Sequence, residues 1–195
     1  VSEQAGRSNL VYRARELGIE LDPKDPRLLD LVRRVKEAES YGYHFEAADA
    51  SFELMLREAL GEKVKFFDLE GFRVIVEKIG EENTAAEAVI KIKVNEEVIH
   101  TAAEGDGPVH ALDNALRKAL EEMYPALKKI RLSDYKVRVL DEKEGTGARI
   151  RVLIQSTDGK NSWGTVGVST DIIEASWQAL VDSIKYGLWQ KKKEA

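Results

Sequence analysis

Hydrophobic positions in the first sixty residues recur every three or four places. Leu10 to Leu17 reads as a short helix closed by Gly18. Pro23 and Pro26 punctuate the turn that follows, and Asp25 before Pro26 predicts an N-cap with proline in the first helical position. Leu28, Leu29, Leu31, Val32 and Val35 then fall at helical spacing. A third helix is expected from Phe45 to Leu60, with Ala48, Phe52, Leu54, Met55 and Leu60 as its apolar positions and Gly61 as its stop.

After Gly61 the period drops to two, which marks a boundary between a helical subdomain, 1–62, and a second domain, 63–195. Phe72, Val74 and Val76 alternate with Arg73 and Glu77. Ala88, Ile90, Ile92 and Val94 alternate with Lys91 and Lys93. Asn95-Glu96 then turns the chain into Val98–Ala103. Three half-buried antiparallel strands are expected, followed by a helix from Pro108 to Met123 with Val109, Leu112, Leu116 and Leu120 on one face. The pattern repeats: strands through Tyr135–Val139, Ile150–Ile154 and Ser162–Val168, an Asp158-Gly159 turn, and a helix from Asp171 to Leu188. Thr101–Leu116 lies over Thr165–Leu180 without a gap, and both segments end in Ala-Leu. The expected class is α+β: a helical subdomain, then a duplicated β-β-β-α domain with repeats at about 68–124 and 130–190. Neither repeat covers both faces of its sheet, so the two sheets and their helices must pack together, within the chain or across a dimer.

Composition narrows the function. The net charge of -5 and the single basic cluster at Lys191, Lys192 and Lys193 argue against nucleic acid as a partner. The absence of cysteine excludes a disulfide framework and a thiolate nucleophile. No apolar run has the length of a membrane span and no secretory pattern is present, so no membrane partner and a cytoplasmic location are expected. The chain begins at Val1, which reads as a piece of something longer.

Catalytic constellations fail. His44, His100 and His110 have no ligand-spaced partner that reads as a metal site. No serine sits in a nucleophile elbow, no phosphate-binding loop is present, and Gly105-Asp106-Gly107 lacks the third glycine of a dinucleotide fingerprint. Binding fares better. Glu104-Gly105-Asp106-Gly107-Pro108 joins a strand to a helix. Its glycines permit close backbone approach, and the helix start offers free N–H groups to a carboxylate. Asp106 can cap the helix or meet an ammonium group. Together these suit an amino acid zwitterion; the plain alternative is a tight strand-to-helix turn. The related loop Val168-Ser169-Thr170-Asp171 leads into the last helix, with Asp171 as its expected N-cap.

Longer segments carry a resemblance. Glu104–Leu116 resembles the effector loop of the C-terminal regulatory domain of 2-isopropylmalate synthase-like enzymes, and more closely that of the citramalate synthase branch. Ser2–Asn9, Phe45–Glu53, Gly71–Glu77, Ser133–Val139, Trp163–Val168 and Ile172–Leu180 extend it over essentially the whole chain. The resemblance implies a parent acyltransferase whose TIM barrel condenses acetyl-CoA with a 2-oxo acid on a divalent metal. A barrel needs about 200 residues or more, and this chain lacks its β/α alternation; no catalytic residue and no cofactor is therefore expected here. The first sixty residues resemble the linker after the barrel. The remainder resembles the domain that forms a homodimer and binds an end-product amino acid, isoleucine in the citramalate branch or leucine in its sister branch, for feedback inhibition.

Carried over position by position, the effector contacts fall on Asp106, Gly107, Val109 and His110, on Leu132, Tyr135 and Val139, and on Thr146, Ile150, Thr170 and Ile172. Val139, Ile150 and Ile172 would wall a branched aliphatic side chain, and the backbone at Asp106–Val109 would hold its charged end. Two positions depart from the usual pattern: Asp106 stands where asparagine is common, and His110 replaces a neutral or acidic residue. The added carboxylate opposes a ligand carboxylate unless it meets the ammonium. A dimerisation scaffold without effector is the runner-up reading.

Overall fold

The computed structural model describes residues 3–81 and 83–194. Three helices come first: α1 (Glu3–Glu16), α2 (Arg27–Tyr41) and α3 (Asp49–Ala59). Two antiparallel three-stranded sheets follow. Strands β1 (Asp68–Ile79), β2 (Asn83–Val94) and β3 (Glu97–Gly105) lead into α4 (Pro108–Leu120). Strands β4 (Arg131–Val139), β5 (Ile150–Thr157) and β6 (Ser162–Ser169) lead into α5 (Ile172–Glu194). The expected α+β class and duplicated β-β-β-α unit are both present. Among the described residues no helix is long and apolar enough to cross a membrane.

Local chemistry sets the element ends. Pro26 already has helical angles, and Asp25 Oδ1 accepts the Arg27 N–H at 2.8 Å, so Asp25 closes the start of α2. Asn95 and Glu96 both have positive φ, 48° and 69°, which gives the two-residue hairpin its tight reversal. The third helix starts four residues later than its periodicity predicts. Ala48 is non-helical, at φ -139° and ψ 47°, and residues 45–48 form a turn instead. The cause is tertiary: the Ala47 carbonyl lies where a side chain on Gly164 of β6 would stand. Phe45 and Ala48 are therefore buried from a loop, in one cluster with Val166 and Val168 of β6.

Each sheet has one face on its own helix. In the first, Phe72, Val74, Ala88, Ile90 and Ile92 join Leu112, Leu116 and Leu120 of α4 in the main core. Trp163, Trp177, Ile184 and Leu188 belong to the same core, so the second unit packs on the first within one chain. In the second sheet, Val152 and Ile154 face Ala175, Ala179 and Leu180 of α5. Its other face is covered by the helices: Val166 and Val168 share a cluster with Leu10, Leu28, Leu31, Phe45, Phe52 and Leu56.

The repeat extends to hydrogen bonds. Asn114 of α4 donates to the Glu104 carbonyl at 2.9 Å, and Gln178 of α5 accepts the Val168 N–H at 3.0 Å. The two amides, and the two strand positions, are equivalent in the sequence alignment. Each ties a helix to the outer edge of the strand before it.

A polar seam joins α3 to α5. Ser51 Oγ donates to Asp182 Oδ2 at 2.7 Å and accepts the Val166 N–H at 3.0 Å. Tyr186 donates to Glu53 Oε2 at 3.0 Å, while Glu53 pairs with Arg57 at 2.7 Å; both members of that pair are buried. The Arg57 guanidinium stacks over Trp189, 4.1 Å from its centroid.

Candidate ligand site

The starts of α4 and α5 are equivalent in sequence and differ in chemistry. At α5, Asp171 Oδ1 accepts the N–H groups of Ile173 and Glu174 at 2.7 and 3.4 Å, so the expected cap is made. At α4 the N-cap is Gly107, extended at φ -162° and ψ 175°, with no side chain to cap anything. Among the described residues the N–H groups of Val109 and His110 meet no acceptor. Two donors at the positive end of a helix remain open to an anion.

The loop's two glycines serve different ends. A side chain on Gly105 would collide with the backbone of His110 and Ala111, so this glycine lets α4 start tight against β3. Its role is packing, not ligand approach. Gly107 faces open space: a methyl group on it would meet nothing within 4 Å. Asp106 does not cap α4. Its side chain is fully exposed, and its backbone N–H donates to His110 Nδ1 at 3.1 Å. Its Oδ2 lies 3.4 Å from the same nitrogen.

An apolar strip begins beside this helix start. Val109, Leu132 and Ile150 pack, partly buried, on the Val152–Ile154–Leu180 cluster. Val139 is the cross-strand neighbour of Ile150, and Tyr135 that of Ile154, so both lie on the face that meets α5. α5 leaves them half-covered: Tyr135 is 37% and Val139 44% exposed. Tyr135 hydroxyl and Ser176 Oγ are 2.8 Å apart, and Ser176 also donates to the Ile172 carbonyl at 2.6 Å. Of the predicted site residues, Val109, Leu132, Tyr135, Val139 and Ile150 thus meet on one surface, with Ile172 tied to it through Ser176. Thr146 sits on the exposed 142–147 turn and Thr170 on the exposed turn before α5. Both turns flank the end of the sheet where Val139, Ile150 and Ser169 pair, without packing into the strip.

Residues 46–188 match the family model of the LeuA allosteric (dimerisation) domain. The chain belongs to this family. It is 52% identical over its whole length to an (R)-citramalate synthase of Aquifex aeolicus and 54% identical, over 99% of its length, to one of Geobacter sulfurreducens. A 2-isopropylmalate synthase of Shewanella woodyi is 28% identical over the whole chain. The chain spans 37% of the length of the two citramalate synthases and 34% of the isopropylmalate synthase.

This LeuA-type domain holds two strip residues that sequence reading passed over. Val137, 43% exposed, lies between Tyr135 and Val139 on the same face, and period-two alternation alone would have included it. Ser176, which positions the Tyr135 hydroxyl, falls on the apolar side of α5 and carries no local signal. Among the described residues no three His, Asp or Glu side chains converge as a metal's ligand set would.

Proposed function

We propose that this domain is the ligand-sensing regulatory part of a citramalate synthase-like acyltransferase, and that its ligand is a branched-chain amino acid, isoleucine in the first place. The carrying observation is the α4 start: two open N–H donors beside a half-covered apolar strip. A ligand carboxylate would take the Val109 and His110 N–H groups. The exposed Asp106 carboxylate would meet the ammonium. Val109, Tyr135, Val139 and Ile150 would cover the branched side chain. The greater identity to citramalate synthases than to an isopropylmalate synthase favours isoleucine over leucine. Condensation of acetyl-CoA with a 2-oxo acid on a divalent metal is assigned to the barrel of the parent enzyme, which isoleucine would inhibit by feedback in the cytoplasm.

Gly107 gives a clean test. Its extended backbone accepts any residue, and the space around it is empty, so Gly107→Val should fold normally while crowding the open donors. Calorimetric titration is expected to show saturable L-isoleucine binding, weaker L-leucine binding, and a loss of about tenfold or more in affinity for the variant. The Asp106 carboxylate at the helix start favours a second reading, a dimerisation scaffold without effector. No heat with either amino acid, from a folded dimer, would establish that reading and sink the first.

A further inference from the structure

In the helical segment Arg27, Arg33, Arg34 and Arg57 each meet a carboxylate at 2.7 Å. Arg13 of α1 meets none among the described residues. Its guanidinium carbon lies 3.8 Å from the centroid of the Phe52 ring, and Phe52 is fully buried. A guanidinium laid over a ring presents its face to the aromatic and keeps its N–H edges for an acceptor in its own plane. Half-buried on this platform, Arg13 is a fixed donor fork that no described residue uses.

Arg13 lines a cavity of about 310 Å³ between α1, α2 and Phe52 of α3. Leu10, Val32 and Val35 give it apolar walls. Gly6 lets α1 and α2 close there: a methyl group on it would lie 3.1 Å from Val32 and 3.8 Å from the Lys36 chain. Lys36 thus extends from α2 to the side of α1. Among the described residues its ammonium pairs with no carboxylate, Glu39 of the same lining included. Two cations, Arg13 and Lys36, against one carboxylate leave the lining net positive. A cavity of this size stands at the small end of ligand sites, about 300–1,000 Å³. It suits a molecule of a few carbons and not a nucleotide.

We propose that this cavity binds a short-chain aliphatic monocarboxylate. Arg13 takes the carboxylate in its fork, Lys36 adds a second positive charge, and Leu10, Val32 and Val35 cover the chain. Glu39 opposes a second negative charge, which sets the class at one carboxylate. No residue of α4 or of either sheet lines the cavity, so the proposal does not rest on the amino acid reading.

The probe is 3-methylbutanoate, followed through backbone amide shifts of the whole chain. Saturable shifts are expected at Arg13, Val35 and Phe52. Acetate has the charge without the chain and should bind about tenfold more weakly or worse. Arg13→Met keeps a stem over Phe52 and loses the fork, so affinity should fall about tenfold or more. Lys36→Met, at an exposed position that the fold does not need, should lower it about threefold. Gly107→Val crowds only the α4 start and should leave these shifts as they are. No shift at the three amides would overturn the proposal. So would acetate binding as tightly as 3-methylbutanoate, or Arg13→Met binding as tightly as the unmodified chain. Shifts confined to Val109 and His110, and lost in Gly107→Val, would place the carboxylate at the α4 start and overturn this site while sparing the effector reading.

Discussion

At the scale of the residue, Asp182 is the carboxyl whose charge burial opposes most strongly. Packing between α3 and α5 pushes its carboxyl up to about 6; Glu58 adds to the effect, while the Ser51 hydrogen bond and Lys185 oppose it. An unfolded aspartate titrates near 3.9, so the fold binds this proton more tightly than the open chain does. The contribution of Asp182 to stability is therefore greatest below about pH 4, falls as pH rises to about 6, and stays low above that. Asp182→Asn removes the charge and keeps an acceptor for Ser51. Denaturant melts should find the variant about 2 kcal/mol more stable at pH 7.5, a figure reduced because the residue keeps part of its surface in water. The gap should close near pH 4. A variant no more stable at pH 7.5 would mean that Lys185, not protonation, settles this charge.

At the scale of the element, the repeat explains why one glycine matters and another does not. Gly167 of β6 faces α5, and a methyl group there would overlap the Ala175 carbonyl. The helix would have to lift, straining the Gln178 tie to Val168. Gly167→Ala should cost about 3 kcal/mol in chemical denaturation, against a change within about 0.5 for Gly107→Ala. Equal effects would disprove the close approach of α5. This contrast also shows what the sequence made legible. Alternation at Phe72–Val76, Ala88–Val94 and Ile150–Ile154 announced the strands, and the Thr101/Thr165 alignment announced the duplication, because both are local patterns. Two other features depend on residues far apart in the chain and leave no local trace. One is the loop at 45–48, shaped by Gly164. The other is the packing role of Gly105, where only the fold distinguishes a helix close by from a ligand close by. The site lies between these cases. Its glycine loop was visible as a motif. Its apolar strip was gathered through the family resemblance, since Leu132, Tyr135 and Ile150 come together only when β4 and β5 pair beneath α5.

At the scale of the molecule, α5 connects the candidate site to the helical segment. Its first turns carry Ile172 and Ser176 at the strip. Its middle grips α3 through Asp182–Ser51, Lys185–Glu58 and Tyr186–Glu53. From Ile172 to Tyr186 is about 21 Å of continuous helix at 1.5 Å per residue, and a packed helix moves as a body rather than bending residue by residue. A ligand that orders the Tyr135–Ser176 end must then bias the α3 contacts, provided it binds one position of α5 better than another. Amide exchange tests this. Isoleucine should slow exchange in α3, around Ser51–Leu56, as well as at the start of α4. Ser51→Ala breaks the link to Asp182 and to the Val166 N–H; it should remove the α3 response while leaving protection at Val109 and His110 in place. Protection confined to α4 and the second sheet in the unmodified chain would show that α5 transmits nothing, and that any signal from the site leaves by another face.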